Sequence, residues 1–365
     1  MRVRILAVNA GTTSLKLSIV EDDDGLRWRQ TLPALEGVKL RAALSAALAE
    51  AGGLDAVGHR VVSGGARFQA PVVLTPATRA VLAGLVDFAP LHNPPALAAI
   101  STLAELRPGV PEVACFDTAF HQTLPAPAAT YALPAAWADR WPLRRFGFHG
   151  LSHAWVARRA PDLLGGPVAR IVSCHLGAGA SLAAIHDGRS VDTTMGFTPL
   201  DGLIMATRAG SVDPGLLLWV QRHGSISPHE AERALDRQAG LLGLSRRSAD
   251  MRDVIAAADE GDERCRLALD AYVHRLRAGI AAMAAAMGGI DALAFTGGVG
   301  EGSARLRAEA ASALGFLGVE LDARRNGEAV GDAVLSTTRA PVAAVVVEAR
   351  EDLQIAYEVR ALLTR

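Results

Sequence analysis

Three glycine turns in this sequence place small polar residues directly after apolar stretches. They begin at Asn9, His175 and Thr296, and the first reads Asn-Ala-Gly-Thr-Thr-Ser-Leu-Lys over 9–16. Glycine lets the backbone approach an anion closely, while amides and hydroxyls donate hydrogen bonds to its oxygens. One such turn alone favours an ordinary hairpin, but three predict a site that holds a polyphosphate. The first turn lacks the G-x-x-x-x-G-K-[ST] spacing of a P-loop.

Two arginines and two carboxylates are the candidates for charged groups at such a site. Arg60 and Arg208 each lie in a glycine-containing loop, and two guanidinium groups at one site would neutralise a carboxylate and a transferring phosphoryl group. Asp117 ends a predicted buried strand, and Glu351 follows the last predicted strand. Mg²⁺ prefers one or two carboxylates together with phosphate oxygens and water, which these two residues could supply. Taken singly, each of the four is more often a surface or capping residue.

Three histidines lie next to basic, aromatic, glycine or proline residues. His149 stands between a phenylalanine and a glycine, where it is either a hydrogen-bond donor to phosphate or a structural residue. For His59 and His92 the structural interpretation is favoured.

Length and composition narrow the class of protein. The chain has 365 residues, of which 50% are hydrophobic and 21% charged, and its formal net charge is −1. These values predict about two globular domains and offer no basic surface for nucleic acid. No apolar run reaches the ~18 residues of a membrane-spanning helix, and residues 1–20 lack the pattern of a secretory leader, so we expect a cytoplasmic protein. The three cysteines show no disulfide or metal spacing and are predicted to be buried thiols.

The elements that would carry these residues alternate between strands and helices. Two antiparallel strands are joined by the turn at 9–16, and further strands are predicted over 26–32, 55–62, 111–116, 169–175, 181–185, 292–295 and 342–347. Helices are predicted over 38–51, 77–88, 94–106, 214–223, 228–239, 262–287, 303–314 and 352–363, with Ser303 as an N-cap. Residues 125–142 are predicted to be irregular, and 192–214 to form a long functional loop.

The first strand, turn and second strand have an echo in the second half of the chain. At a shift of 166 positions four pairs correspond, namely Ile5 with Ile171, Asn9 with His175, Gly11 with Gly177 and Ile19 with Ile185. A duplicated strand–turn–strand unit predicts two similar domains with a cleft between them.

Motifs that carry most of the polar and glycine residues are spread along nearly the whole chain. They are Asn-Ala-Gly-Thr-Thr-Ser-Leu-Lys (9–16), His-Arg-Val-Val-Ser-Gly-Gly (59–65), Pro-Leu-His-Asn-Pro-Pro (90–95), Phe-Asp-Thr-Ala-Phe-His-Gln (116–122), Phe-Gly-Phe-His-Gly (146–150), Cys-His-Leu-Gly-Ala-Gly-Ala-Ser (174–181), Asp-Thr-Thr-Met-Gly-Phe-Thr-Pro-Leu-Asp-Gly-Leu (192–203), Thr-Arg-Ala-Gly-Ser-Val-Asp-Pro (207–214) and Phe-Thr-Gly-Gly-Val-Gly-Glu (295–301). These motifs resemble those of acetate kinases. The resemblance implies an α/β fold of the duplicated actin-like, ribonuclease H-like type, in which two α/β domains flank a nucleotide cleft. Residues 1–150 plus 352–365 would form the domain on the acyl-substrate side, and 151–351 the domain on the nucleotide side, which would also carry a dimer interface.

The resemblance also implies an activity and a set of site residues. The activity is ATP + acetate ⇌ ADP + acetyl phosphate, with Mg²⁺, in a homodimer without nucleic-acid or membrane partners. The implied catalytic residues are Asp117, Arg60, Arg208 and His149, and the implied acyl pocket is Arg60, Val62, Leu91, Phe148 and Pro199. The implied phosphate and nucleotide residues are Ser14, Lys16, His175, Gly177, Ala178, Gly179, Asp250, Met251, Arg252, Gly297, Gly298, Val299 and Gly300. Asn9 and Glu351, with Asp117, are implied at the metal.

Two departures from the family pattern leave alternatives open. The family usually has Asn where this chain has Ala178, and often Asn where it has Gly302, so the identity of the phosphoryl donor stays open between ATP and pyrophosphate. Val62 favours acetate over propionate, since a smaller residue would admit a longer chain. The alternatives are a propionate or butyrate kinase, a pyrophosphate-dependent acetate kinase, and a non-catalytic, nucleotide-switched binding protein of the same fold.

Overall fold

The computed structural model describes residues 3–11, 14–86 and 93–364, which divide into two compact units. The first unit comprises Met1–Gln122, Phe148–Trp155 and Arg350–Arg365, and the second comprises Thr123–Gly147 and Val156–Ala349. Within the described residues the strands are β1 Ile5–Ala10, β2 Ser14–Val20, β3 Leu26–Pro33, β4 Ala56–Val61, β5 Val72–Val73, β6 Glu112–Phe116, β7 Arg170–Leu176, β8 Ala180–His186, β9 Arg189–Thr193, β10 Ala292–Thr296, β11 Ala333–Val334 and β12 Ala343–Val346. The helices are α1 Gly37–Ala51, α2 Pro76–Ala83, α3 Asn93–Leu106, α4 Ala126–Ala129, α5 Ala135–Arg140, α6 Gly150–Leu164, α7 Pro214–Gly224, α8 Pro228–Arg237, α9 Gly240–Ser245, α10 Met251–Asp259, α11 Glu263–Ala286, α12 Gly297–Gly302, α13 Ala304–Ser312, α14 Ala323–Glu328 and α15 Glu351–Leu363.

The first unit is built on a six-stranded mixed sheet of order β3-β2-β1-β4-β6-β5. Strands β1, β4 and β6 are parallel neighbours, so their carboxyl ends lie at one edge of the sheet. Open α/β sheets bind ligands outside the carboxyl ends of such strands.

The two faces of this sheet are covered by different helices. Residues at alternate strand positions point to one face, where Ile5, Ala7, Ala56, Val113 and Cys115 pack against the apolar side of α15. Helices α1 and α3 cover the opposite face. Gly58 allows α15 to approach closely, because a Cβ at this position would lie 2.3 Å from Cγ2 of Ile355.

The second unit repeats the topology of the first. Its sheet has the order β9-β8-β7-β10-β12-β11, with β7 antiparallel to β8 and parallel to β10, and β10 parallel to β12. The predicted duplication is therefore confirmed. The correspondence of Ile19 with Ile185 is off by one residue, because Ile185 pairs with Ile171, whereas the partner of Ile5 is Val20. The second turn is one residue shorter than the first.

Most predicted elements are present within a few residues of their expected bounds. Residues after Thr296 form the short helix α12 instead of an irregular glycine turn. The strands β5, β9 and β11 and the helices α6, α9, α10 and α14 were not predicted, and 125–142 contains the short helices α4 and α5. The hydroxyl of Ser303 accepts the N–H of Leu306 at 3.2 Å, which confirms the predicted N-cap. Residues 87 and 88 of the predicted helix 77–88 lie outside the described residues.

Two further predictions concern the cysteines and membrane spans. Cys115, Cys174 and Cys265 are free and buried, as predicted. None of the helices in the described part of the chain has the length and apolar character that crossing a membrane requires.

Candidate functional site

The first unit gathers three polar side chains at the carboxyl edge of its sheet. Asn9 lies near the end of β1, Arg60 near the end of β4, and Asp117 directly after β6. Val8 is level with His59, and Arg60 is level with Cys115, so Asn9, Arg60 and Asp117 follow the same face of three parallel strands. This face is the one that α15 covers, and Glu351 is the first residue of α15.

Hydrogen bonds join Asn9, Arg60, Asp117 and Glu351, which we call the Arg60 cluster. Arg60 donates from Nε to Oδ1 of Asp117 at 3.0 Å and from Nη2 to Oδ2 at 2.6 Å, which is a two-pronged contact. Its Nη1 donates to Oδ1 of Asn9 at 3.1 Å, and Nδ2 of Asn9 donates to Oε2 of Glu351 at 2.7 Å. Nη1 of Arg60 lies 3.8 Å from the same Glu351 oxygen. The cluster thus orients its guanidinium from two sides.

Burial and like charge shape the electrostatics of the cluster. Asp117 is fully buried, and this burial raises its pKa; Arg60 works in the opposite direction, and Glu351 adds to the rise. Burial lowers the pKa of Arg60, but the two carboxylates more than offset it, so the pKa is raised and the guanidinium stays charged. One cation faces two carboxylates here, so a further cation would be stabilised.

The segment around His149 is fitted closely to Asp117. The backbone N–H of His149 donates a hydrogen bond to the Asp117 carboxylate, which works to lower the pKa of that group. His149 adopts a positive φ of 55°, which is uncommon outside glycine. A Cβ at Gly150 would lie 1.9 Å from the carbonyl oxygen of Asp117. The ring of His121 donates from Nε2 to the carbonyl oxygen of Phe148 at 3.0 Å.

The remaining predicted residues of the first unit lie at or near the same edge. Lys16 is the register partner of Asn9 across the β1–β2 pair, so the two side chains share a face, and Lys16 is exposed. Ser14 begins β2, and Val62 follows β4 directly and is partly buried. The predicted pocket residue Leu91 and its neighbour His92 lie outside the described residues.

The structural interpretation of His59 is supported by its contacts. Its Nε2 lies 2.8 Å from Oε2 of Glu112, and both residues are buried. Arg79 donates to the other oxygen of Glu112 at 2.9 Å. Although burial acts to raise the pKa of Glu112, these two partners hold it below the usual range. His59 and Arg79 thus hold the side chain of Glu112 at the start of β6, away from the carboxyl edge of the sheet.

In the second unit, Arg208 is held by the long loop that precedes α7. Its Nη1 donates to the carbonyl oxygen of Pro199 at 3.2 Å, so these two predicted site residues are in contact. Its Nε lies 3.2 Å from Oδ1 of Asp236 on α8. Burial lowers the pKa of Arg208, and Asp236 works against this shift. No sequence pattern singles out Asp236, which stands in an ordinary amphipathic helix pattern.

Two glycine turns meet at the carboxyl edge of the second sheet. His175 is level with Thr296 in the parallel β7–β10 pair, so the Gly177–Gly179 turn and the start of α12 lie side by side. Gly297 has φ of 79°, and a Cβ there would lie 2.7 Å from the carbonyl oxygen of Leu176. Gly298, Val299 and Gly300 follow within α12.

The carbonyl groups at the end of α12 are fixed by Arg307, which no sequence pattern singles out. Arg307 is 1% exposed and donates to the carbonyl oxygens of Gly300 at 2.9 Å and Glu301 at 2.6 Å. Its Nε donates to Asn326 at 2.8 Å. A buried arginine within an ordinary helix has no spacing signal in the sequence.

The Asp250-Met251-Arg252 stretch begins α10. Asp250 accepts the backbone N–H of Arg252 and also its guanidinium, and these bonds lower the pKa of Asp250 to about 2. Met251 is buried, whereas the Arg252 side chain is 89% exposed. The structure thus leaves the arginine accessible to a ligand.

Comparisons with known sequences agree with this picture over most of the chain. The sequence profile of the acetokinase family matches residues 34–357. The acetate kinase of Synechococcus sp. (strain JA-2-3B'a(2-13)) is 49% identical over 318 residues, which cover 87% of this chain and 78% of that protein. The acetate kinase of Pseudothermotoga lettingae is 43% identical over 312 residues, covering 85% and 77% respectively.

Solved structures of similar proteins share the fold. Acetate kinase from Porphyromonas gingivalis superposes with a TM-score of 0.91 at 32% identity, covering 99% of this chain and 100% of that chain. A propionate kinase from Francisella tularensis subsp. tularensis SCHU S4 gives a TM-score of 0.90 at 32% identity, with 98% of each chain covered. Together with the repeated strand order, these matches confirm the predicted duplicated α/β fold.

Proposed function

The chain belongs to the acetokinase family and phosphorylates acetate, and we propose that it transfers the γ-phosphoryl group of ATP to the acetate carboxylate, giving acetyl phosphate and ADP. It is a phosphotransferase with a carboxyl group as acceptor. The observation that carries the residue assignment is the Arg60 cluster, in which a guanidinium is fixed at the carboxyl edge of the first sheet by Asp117 and Asn9.

The Arg60 cluster suits the binding of an anion. A guanidinium has five N–H donors, and the hydrogen bonds to Asp117 and Asn9 use three of them among the described residues. One N–H on each terminal nitrogen remains for carboxylate or phosphoryl oxygens. The acceptor carboxylate is already a nucleophile, so no strong base is needed, and the main difficulty is to bring two anions together. Both oxygens of Asp117 accept from Arg60, so Asp117 acts as an organiser and not as a proton acceptor.

Arg208 supplies the second cation of the proposed reaction. Cationic groups aimed at a transferring phosphoryl group stabilise the charge that spreads over its oxygens. His149, whose backbone is tied to Asp117, contacts the phosphoryl oxygens in this proposal.

Mg²⁺ fits the donor set of the first unit. Asn9, Asp117 and Glu351 offer amide and carboxylate oxygens, which are the ligands that Mg²⁺ prefers. The described residues contain no group of three or more His, Cys, Asp and Glu placed to hold a metal. We therefore assign Mg²⁺ few protein ligands, since it commonly keeps water and phosphate oxygens as its remaining ligands. When bound, Mg²⁺ neutralises charge on the phosphate oxygens.

The phosphate and nucleotide side of the proposal rests on the second unit and on β2. The turn after His175 and the start of α12 lie side by side at a carboxyl edge, which is where open α/β sheets bind ligands. We assign nucleotide binding to His175, Gly177, Ala178, Gly179, Asp250, Met251, Arg252, Gly297, Gly298, Val299 and Gly300, and phosphate guidance to Ser14 and Lys16.

Acetate is the acyl substrate of this family, and propionate is the second candidate for this chain. We assign contacts with the acyl group to the apolar residues Val62, Leu91, Phe148 and Pro199. The similarity to a propionate kinase structure favours testing propionate directly. One methylene changes discrimination by only ~1–3 kcal/mol, so propionate should be a poorer substrate and not an inert one.

We also propose a homodimer that uses the second unit. Helix α7 has no buried residue, and Leu216, Leu218 and Trp219 are 51%, 57% and 53% exposed. Exposed apolar patches of this kind mark protein–protein contacts. Sedimentation should show a dimer for the wild-type chain and a monomer for Leu218→Glu; a wild-type monomer would contradict the proposal.

The activity is tested by trapping acyl phosphate as hydroxamate. Acetate, propionate and butyrate are each combined with Mg²⁺ and either ATP or pyrophosphate. We expect the highest kcat/KM for acetate with ATP. Faster product formation with pyrophosphate would contradict the assignment of ATP as the donor, and faster formation with propionate would contradict acetate as the acceptor. No product from any pairing would favour a non-catalytic binding protein.

A further inference from the structure

We propose that Asp236 is a positioning residue for Arg208, and that it turns one edge of the guanidinium toward the phosphoryl group. This inference rests on the proposed role of Arg208 in phosphoryl transfer. It assigns Asp236 no contact with substrate.

The backbone around Arg208 is tied to the junction between α8 and α9. Ala209 donates its N–H to the carbonyl oxygen of Leu235 at 3.2 Å, and Ala239 donates to that of Thr207 at 3.0 Å. The Thr207 hydroxyl donates to the carbonyl oxygen of Asp236 at 2.8 Å. The segment that carries Arg208 therefore moves with the end of α8.

Gly240 shows how tight this junction is. It has φ of 61°, and a Cβ there would lie 2.2 Å from the carbonyl oxygen of Met205 and 2.7 Å from that of Arg208. Only glycine fits both the conformation and the space. The backbone that carries the Arg208 side chain is thus held in place independently of the contacts that its guanidinium makes.

The contacts of the guanidinium leave one edge available. Asp236 lies 3.2 Å from Nε, while Nη1 donates to the Pro199 carbonyl at 3.2 Å and contacts Sδ of Met205 at 3.6 Å. Among the described residues, Nη2 has no hydrogen-bond partner. Contacts at Nε and Nη1 fix the plane of the group, so the direction in which Nη2 points is set by Asp236 and Pro199.

An acid at position 236 does not stabilise α8 itself. Asp236 is the residue before the last in α8, where the carbonyl ends of the helix carry partial negative charge and disfavour a carboxylate. Its other cationic neighbour, Arg237, is 62% exposed and lies 3.8 Å away. The partly buried Arg208 side chain, at 17% exposure, is the closer partner.

The experiment measures kcat and the KM for ATP in Asp236→Ala and Asp236→Asn by hydroxamate trapping. We expect Asp236→Ala to lower kcat by ~10–100-fold, because a small misplacement of a catalytic group has effects of this size, while the KM for ATP changes less than about twofold. Asp236→Asn keeps an oxygen acceptor near Nε and should recover part of the loss. A merely structural role would not give this recovery together with the split between kcat and KM.

The matched control is Asp291→Ala. Asp291 pairs with Arg170 at 2.6 Å, also in the second unit but at the start of β7. We expect a lower Tm without a change in kcat. Equal kcat losses in Asp291→Ala and Asp236→Ala would overturn the proposal.

A double-mutant cycle separates this inference from the function on which it rests. If Asp236 acts through Arg208, adding Asp236→Ala to Arg208→Ala should cause no further loss of kcat. A full further loss, or an unchanged kcat in Asp236→Ala alone, would overturn the positioning role while leaving that of Arg208 intact. An Arg208→Ala variant with wild-type kcat would overturn both.

Discussion

Replacing Gly150 with alanine tests how closely the start of α6 packs on the Arg60 cluster. The new Cβ would lie 1.9 Å from the carbonyl oxygen and 2.9 Å from the carbonyl carbon of Asp117, and 3.0 Å from Cβ of Phe120. Two of these three atoms belong to backbone, so they cannot move aside as a flexible side chain would. The φ of Gly150 is not positive, so the cost of the alanine is steric and not conformational.

The size of the displacement follows from these distances. Real Cβ atoms essentially never approach within 3.0 Å of such neighbours, so Asp117 and Gly150 must separate by at least about 1.1 Å. A 1 Å misplacement of a catalytic arrangement costs on the order of 10²-fold in rate, which is about 2.7 kcal/mol of barrier. Overpacking a close contact also costs roughly 1–3 kcal/mol of stability. We therefore expect kcat to fall by about 10²-fold and Tm to fall with it.

The assay compares kcat from hydroxamate trapping with ATP affinity from a fluorescent-nucleotide titration. ATP affinity should stay within about twofold of wild type, because the proposed nucleotide residues belong to the second unit. Gly166→Ala is the control, since its Cβ would have no neighbour within 4 Å and its φ is not positive. Wild-type kcat and Tm in Gly150→Ala would refute the packing on Asp117, and an equal loss of kcat and ATP affinity would refute the local origin of the effect.

Three further predictions concern substrate choice, transfer and pH. Val62→Ala should shift kcat/KM toward propionate by roughly 10-fold. An unchanged ratio of the kcat/KM values for acetate and propionate would contradict the assignment of Val62 to the acyl site. Arg208→Ala should lower kcat by about 10²–10³-fold with little loss of ATP affinity, and an unaffected kcat would remove Arg208 from the site. Burial lowers the pKa of His121 from 6.5 to about 4 in the folded state. Between these two pH values the unfolded chain carries a proton on His121 that the folded chain does not, so the free energy of unfolding falls as the pH drops from 6.5 toward 4. By pH 5 the loss from this group should reach about 2 kcal/mol relative to His121→Gln in urea titrations, and equal pH dependence of the two proteins would contradict the assignment.

The first unit's cluster was largely predictable because its residues stand at strand ends. Asn9, Arg60 and Asp117 each come at or near the end of an apolar run, and parallel strands bring such ends to one edge. The sequence pattern alone could not show that Arg60 takes both oxygens of Asp117. That contact depends on the register of three strands, which is set by packing.

Residues that act through tertiary contacts could not be predicted. Asp236 and Arg307 stand in helices where acids and arginines are common, and only the fold places them against Arg208 and the end of α12. The importance of Gly150 depends on a backbone carbonyl 33 positions earlier in the chain. The one-residue difference between the two hairpins was also hidden, because similar apolar residues occupy neighbouring positions in β2 and β8.

The most direct test is single-turnover formation of acetohydroxamate from radiolabelled acetate, Mg²⁺ and ATP by wild type and Asp117→Asn. Asparagine keeps the size of the side chain but turns an N–H₂ toward Arg60, so it removes one of the two acceptors that fix the guanidinium. We predict rapid product formation by wild type, and formation slower by at least about 10²-fold in Asp117→Asn with unchanged ATP affinity. No acetohydroxamate from wild type, or equal rates in the two proteins, would contradict the account.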